Sequence, residues 1–210
     1  MDAQKYTEQL YVAHPDPVLD HVLQSIREHG MPEISVKPGY ARLLTLLVAT
    51  SGAKQVLEIG ALGGYSGICL ARGLPIDGKL VSLELHSDYA ALANQNLEMA
   101  GFGGMVQYRV GEALQHLESL ANEGRTFDFF FIDADKGNYP QYLDWAIRLG
   151  NPGAIIVGDN TLMNGRIMQE EVTSPSVAAM RAFNERIASD SRLLSVILPA
   201  YDGLAIARIR

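Results

Sequence analysis

Hydrophobic residues in the first quarter of the chain recur at helical spacing. Val18, Leu19, Val22, Leu23 and Ile26 make one stripe, and Leu43, Leu44, Leu46, Leu47 and Val48 a broader one. Pro15, Pro17, Pro32 and Pro38 divide the stretch up to Thr50 into three helices. After Ser51 the period changes. Short apolar, β-prone runs at 55–59, 80–85, 106–110, 127–132 and 154–157 alternate with helix-patterned segments that begin near Tyr65, Ser87, Glu112 and Tyr139. Strands that are almost continuously apolar and alternate with helices predict a parallel sheet covered on both faces, so the fold class is α/β, doubly wound and Rossmann-like.

The last section breaks this rhythm. A helix over 176–188 precedes two strand-like runs, 193–198 and 204–209, joined by Pro-Ala-Tyr-Asp-Gly, a loop suited to a hairpin. The sheet is therefore expected to end in an antiparallel strand. With no internal repeat, Gly/Ser linker or charge run, the 210 residues are expected to form one domain, 1–50 as a helical cap and 51–210 as the core.

Composition narrows the partners. Seventeen Lys and Arg against 24 Asp and Glu leave a net charge of −7, with no basic patch, which argues against nucleic acid. The single cysteine, Cys69, can form neither an internal disulfide nor a thiolate metal site, and inside a helix it is expected to be a small buried residue without chemistry. The opening MDAQKYTEQLY lacks a signal-peptide pattern and no long apolar run follows, so neither a membrane span nor secretion is expected and the location is expected to be cytoplasmic. His14, His21, His29, His86 and His116 show no ligand or triad spacing, and structural roles are expected for them.

In doubly wound sheets ligands bind where strands exit. The first exit, Val56-Leu-Glu-Ile-Gly-Ala-Leu-Gly-Gly-Tyr-Ser66, turns through glycines into a helix, and Glu84 at the second exit stands 24 positions past Gly60. That spacing suits an acidic side chain on ribose hydroxyls. A dinucleotide fingerprint would need glycine where Leu62 and Tyr65 stand, and no Gly-Lys-Ser/Thr follows for a P-loop. What remains is an adenosine ligand without phosphates. Glu58, just before the turn, suits a cationic tail such as the amino group of S-adenosylmethionine, which makes a methyltransferase the leading reading. The plainer alternative is glycines that only permit close packing. Ser66 is expected either to cap the helix or to touch the cofactor.

The fourth and fifth exits read Phe131-Ile-Asp-Ala-Asp-Lys136 and Val157-Gly-Asp-Asn160. Neighbouring strands would bring Asp133 and Asp159 to one sheet edge, where two carboxylates with the Asn160 amide form a hard oxygen set for Mg²⁺, Mn²⁺ or Ca²⁺. Taken singly, each aspartate reads more readily as the N-cap of the following helix, with Asp-Asn-Thr as a turn. Lys136 would stand beside this set.

These residues resemble the cation-dependent, S-adenosylmethionine-dependent O-methyltransferases of the caffeoyl-CoA and catechol types. The pieces that carry the resemblance are Leu57-Glu-Ile-Gly60, Gly64-Tyr-Ser66, Phe131-Ile-Asp-Ala-Asp-Lys136, Gly158-Asp-Asn-Thr161 and Asp202-Gly203. The resemblance implies that Glu58, Gly60, Ala61 and Ser66 line the methionine end and the backbone of the cofactor site, Glu84 the ribose and Ala113 the adenine, with Tyr65 expected in the same site. Val36 is implied at the lid, and Asp133 and Asp135 are also expected in the cofactor site. Asp133, Asp159 and Asn160 match the metal ligands, and Lys136 with Asp133 the catalytic pair. A homodimer acting on a small vicinal aromatic diol is implied with them. Leu62-Gly63 and Met163 depart from the plant branch, which has Tyr-Thr and Trp there, and weigh against a bulky CoA ester. A nicotinamide-dependent oxidoreductase and a non-catalytic cofactor-binding protein are the competing readings.

Overall fold

The computed structural model describes residues 3–11 and 15–210, so the expectation for His14 lies outside the described residues. Helices α1 (Ala3–Tyr11), α2 (Pro17–Glu28) and α3 (Pro38–Ser51) come first. Proline opens both α2 and α3, where its fixed φ suits the first turn and its missing N–H costs nothing. Asp16 caps α2 by accepting the Leu19 N–H at 3.2 Å.

The alternating region follows as β1 (Gln55–Ile59), α4 (Tyr65–Gly73), β2 (Lys79–Glu84), α5 (Ser87–Met99), β3 (Val106–Val110), α6 (Ala113–Asn122), β4 (Phe127–Ile132), α7 (Tyr139–Leu149) and β5 (Gly150–Asp159). Helix α8 (Pro175–Ser189) and strands β6 (Leu193–Leu198) and β7 (Leu204–Ile209) complete the order. The seven strands form one sheet in the order β3-β2-β1-β4-β5-β7-β6. The first five are parallel, and β7 runs against both β5 and β6. The antiparallel strand is thus present but is not the edge. Its Leu204, Ala205 and Ala207 are buried, which suits an interior position, while β6 leaves Leu194 and Val196 exposed at the margin.

Two expected boundaries shift. Strand β2 ends at Glu84 rather than Leu85, and β5 extends well beyond 154–157 because Gly150 pairs with Phe127 and Asp159 with Leu204. Backbone pairing by Gly, Asn and Pro leaves no trace in a hydrophobic pattern.

Period-two alternation divides the core between the two faces of the sheet. Leu57, Ile59, Val81, Leu83, Phe130 and Ile132 pack with residues of α6, α7 and α8. Val56, Leu80, Phe129, Phe131 and Val157 pack with residues of α2, α3, α4 and α5. Chain order reverses between β1 and β4, the central pair, so the crevice for a ligand opens at their carboxyl ends. Among the described residues no helix is long and apolar enough to cross a membrane.

Candidate active site

The loops after β1 and β4 are locked together. Gly60 N–H donates to the Leu83 carbonyl and Asp133 N–H to the Ile59 carbonyl, each at 2.9 Å. Gly60 has φ +98°, and a Cβ there would collide with the Asp133 carbonyl, so both the backbone conformation and the close approach require glycine. Glu84 braces the turn: one carboxylate oxygen accepts the N–H groups of Ala61 at 3.0 Å and Leu62 at 2.9 Å, and the other accepts His86 N–H at 3.0 Å. Leu62, at φ 48°, is held in a left-handed conformation by that contact.

Over these loops lies a cavity of about 610 Å³, within the size range of small-molecule sites. The expected residues that line it are Gly60, Glu84, Ala113, Asp133, Asp135, Lys136 and Asn160. Asp135 is anchored there by the Tyr142 hydroxyl. Residues 34 and 35, from the connection between α2 and α3, roof the same space.

Other expected cofactor residues do not face the cavity. Glu58 is fully buried, and its two oxygens accept the hydroxyls of Ser66 at 2.6 Å and Ser82 at 2.5 Å. Both its oxygens are thus engaged beneath the glycine turn, and Glu58 does not line the cavity. Ser66 is correspondingly neither a helix cap nor a cavity residue. Tyr65 sends its ring to the opposite side, into a separate cavity with Cys69 and Arg72. Val36 packs into the core beside α3, and Ala61 is buried, contributing its N–H to Glu84.

Burial pushes the Glu58 carboxyl up to about 7 from its usual 4.5, against the pull of the two serine hydroxyls. Between pH 4.5 and 7 the folded state therefore holds a proton that the unfolded chain releases, and stability falls as pH rises through that window. Glu58→Gln removes this dependence. In thermal melts the variant's stability relative to wild type is expected to improve by about 1–3 kcal/mol between pH 5 and pH 8; a pH-independent difference would contradict the assignment.

At the neighbouring exits, Ile132 pairs with Gly158, so Asp133 and Asp159 follow side by side. Neither is a helix N-cap, since the short 3-10 turns after them start at Lys136 and Met163. Asp159 is buried, and one of its oxygens accepts Asn160 N–H at 2.7 Å. Burial, with the nearby Asp133 charge, pushes its carboxyl up to about 7. Lys136 Nζ lies 3.0 Å from Asp133 Oδ1 and donates to the Tyr139 hydroxyl at 2.7 Å. That hydroxyl has one proton to place on either the Ile132 carbonyl at 3.0 Å or the Asp159 carbonyl at 2.9 Å. Tyr139 is completely buried and its phenol is held well above its usual range.

A second cavity, of about 350 Å³, opens beside the first and is lined by Lys37, Asp159, Met163, Arg166 and Asp202 among others. The two cavities share Ile34, Ser35, Lys136 and Asn160. Sequence reasoning missed Ser35, whose hydroxyl is buried with no partner where the cavities meet, and Tyr139. Ser35 carries no signal in its polar loop, whereas Tyr139 stands three residues after Lys136, a spacing that could have been read.

Among the described residues no three His, Cys, Asp or Glu side chains gather as a metal site. The candidate set is instead two carboxylates and one amide. It fits a hard divalent cation, because Asp159 is buried against a like charge that such a cation would offset.

A doubly wound sheet with a nucleoside-sized cavity at its switch point, joined to a second cavity across an acidic edge, defines a cofactor-dependent α/β enzyme. Residues 10–210 match the family model described as O-methyltransferase. The chain is 40% identical to a catechol O-methyltransferase of Niastella koreensis over 95% of its own length and 93% of the relative's. It is 40% identical to a catechol O-methyltransferase of Mycobacterium tuberculosis over 93% and 90% of the two chains. An O-methyltransferase from Bacillus cereus, solved in complex with SAH, superposes with a TM-score of 0.92 at 39% identity, covering 98% of this chain and 96% of that one. The chain belongs to the O-methyltransferase family.

Proposed function

We propose that the chain transfers a methyl group from S-adenosylmethionine to one hydroxyl of a small vicinal aromatic diol, with a divalent cation held by Asp133, Asp159 and Asn160. The observation that carries the reading is the sharing of Lys136 and Asn160 between the two cavities, which brings a donor in one within reach of an acceptor in the other. The SAH-bound relative supports the donor, and the catechol enzymes support the acceptor.

The chain's own groups supply orientation and a proton acceptor. Gly60 lets the loops after β1 and β4 close together beside the donor cavity, Glu84 has lone pairs left for ribose hydroxyls after bracing the turn, and Ala113 borders the adenine end. A divalent cation, when bound, supplies a charge that lowers the acceptor hydroxyl from the ~10 of a phenol. Lys136, as the neutral amine once its ammonium proton has passed to solvent, takes at Nζ the proton that the hydroxyl gives up. Tyr139 holds that amine at the junction. The acceptor oxygen attacks the methyl carbon in line, forming the O–C bond as the C–S bond breaks. Positioning and electrostatics carry the step without a covalent enzyme intermediate.

A cytoplasmic homodimer forms part of this reading; the exposed Tyr6, Leu10 and Tyr11 along α1 support an association surface.

Calorimetric titration tests the donor. Saturable binding of S-adenosylmethionine with no heat from NAD is expected, and the reverse would favour the oxidoreductase reading. Glu84→Gln is expected to weaken S-adenosylmethionine binding about 10–100-fold, since it removes a charged acceptor from both the turn and the ribose. An unchanged Kd would dissociate Glu84 from the ligand.

A further inference from the structure

We propose that the second cavity selects vicinal diols that carry a carboxylate away from the reacting hydroxyls, with Lys37 and Arg166 as the residues that determine this preference. The inference rests on the methyl-transfer reading above and names the substrate class within it.

The charges around this cavity are unevenly committed. Lys136 is paired with Asp133, and Glu33 with Arg27 at 2.8 Å. Asp202 accepts the Asn164 N–H, and Asp159 that of Asn160. Among the described residues the Arg166 side chain reaches only the neutral Ser174 hydroxyl, at 3.2 Å. Lys37 has no ion pair or side-chain hydrogen bond among the described residues. Two cations without a carboxylate partner among the described residues therefore line this cavity, while Asp159 and Asp202 each hold one oxygen on a backbone N–H. The chain as a whole carries −7, a field that repels anions at long range, so an anionic acceptor would need local cations of this kind. The buried Ser35 hydroxyl, which lines both cavities, is a further polar group without a partner among the described residues.

A carboxylate and the phosphates of a CoA thioester share this anionic chemistry. A cavity of about 350 Å³ suits one substituted ring and a short acid better than a nucleotide carrier.

The test compares 3,4-dihydroxybenzoate, its methyl ester and caffeoyl-CoA as acceptors. For wild type, kcat/KM for the acid is expected to exceed that for the ester by about tenfold, as one charge-assisted contact implies, and the preference should shrink as salt rises. In the Lys37→Gln/Arg166→Gln double variant the acid-to-ester ratio should fall about tenfold, through KM rather than kcat, while Arg166→Lys keeps most of it. Both positions are exposed, so the neutral replacements should leave the fold intact. A wild-type ratio at or below one, a ratio unmoved in the double variant, or a preference for caffeoyl-CoA would overturn the proposal while leaving methyl transfer standing. Methylation of none of the three acceptors would overturn both.

Discussion

Lys136→Ala is expected to lower the rate constant for methyl transfer about 10²–10⁴-fold, the usual contribution of a positioned acid or base. The effect should fall on kcat. Lys136 borders both cavities and donates to Asp133 and Tyr139, so its loss removes the proton acceptor at their junction and leaves Gly60 and Glu84 to hold the donor. Single-turnover kinetics with saturating donor, together with a direct measurement of donor affinity, separate the two contributions. A variant that keeps its single-turnover rate and loses only affinity would place Lys136 in binding instead.

Asp133→Ala is expected to abolish the response of turnover to added divalent cation and to lower activity at least ~10³-fold, in keeping with the several kcal/mol that such an ion supplies. Stability should scarcely change. The partly exposed pair with Lys136 is worth about 1 kcal/mol or less, and its loss is offset by relief of the like charge at buried Asp159. Activity with and without Mg²⁺, read beside thermal melts, makes the distinction. Residual activity that still rises with Mg²⁺ would show that Asp133 is not a ligand, and a collapse in melting temperature would show a structural role.

The alternation of helices and apolar strands was legible because each buried strand of the parallel region is an apolar run of its own, Phe127–Ile132 above all. The insertion of β7 between β5 and β6 was not, since local patterns fix a hairpin but not the side of it that pairs with the sheet. The site followed the same division. Residues that leave strands, such as Gly60, Glu84, Asp133 and Asn160, were readable because topology alone carries them to the crevice. Glu58, Tyr65 and Ser66 do not line the cavity, and their motif position does not say which way a side chain turns at this turn. Ser35 is brought in by a loop distant in sequence from every strand exit it meets.

Transfer of labelled methyl from S-adenosylmethionine to a simple catechol, with Mg²⁺ and again after exhaustive chelation, bears most directly on the joint use of the two cavities. The account predicts a labelled methyl ether with the cation, almost none without it, and recovery when Mg²⁺ is restored. Undiminished methylation in the chelated enzyme would contradict the assignment of Asp133, Asp159 and Asn160, and no transfer under either condition would contradict the assignment of the reaction itself.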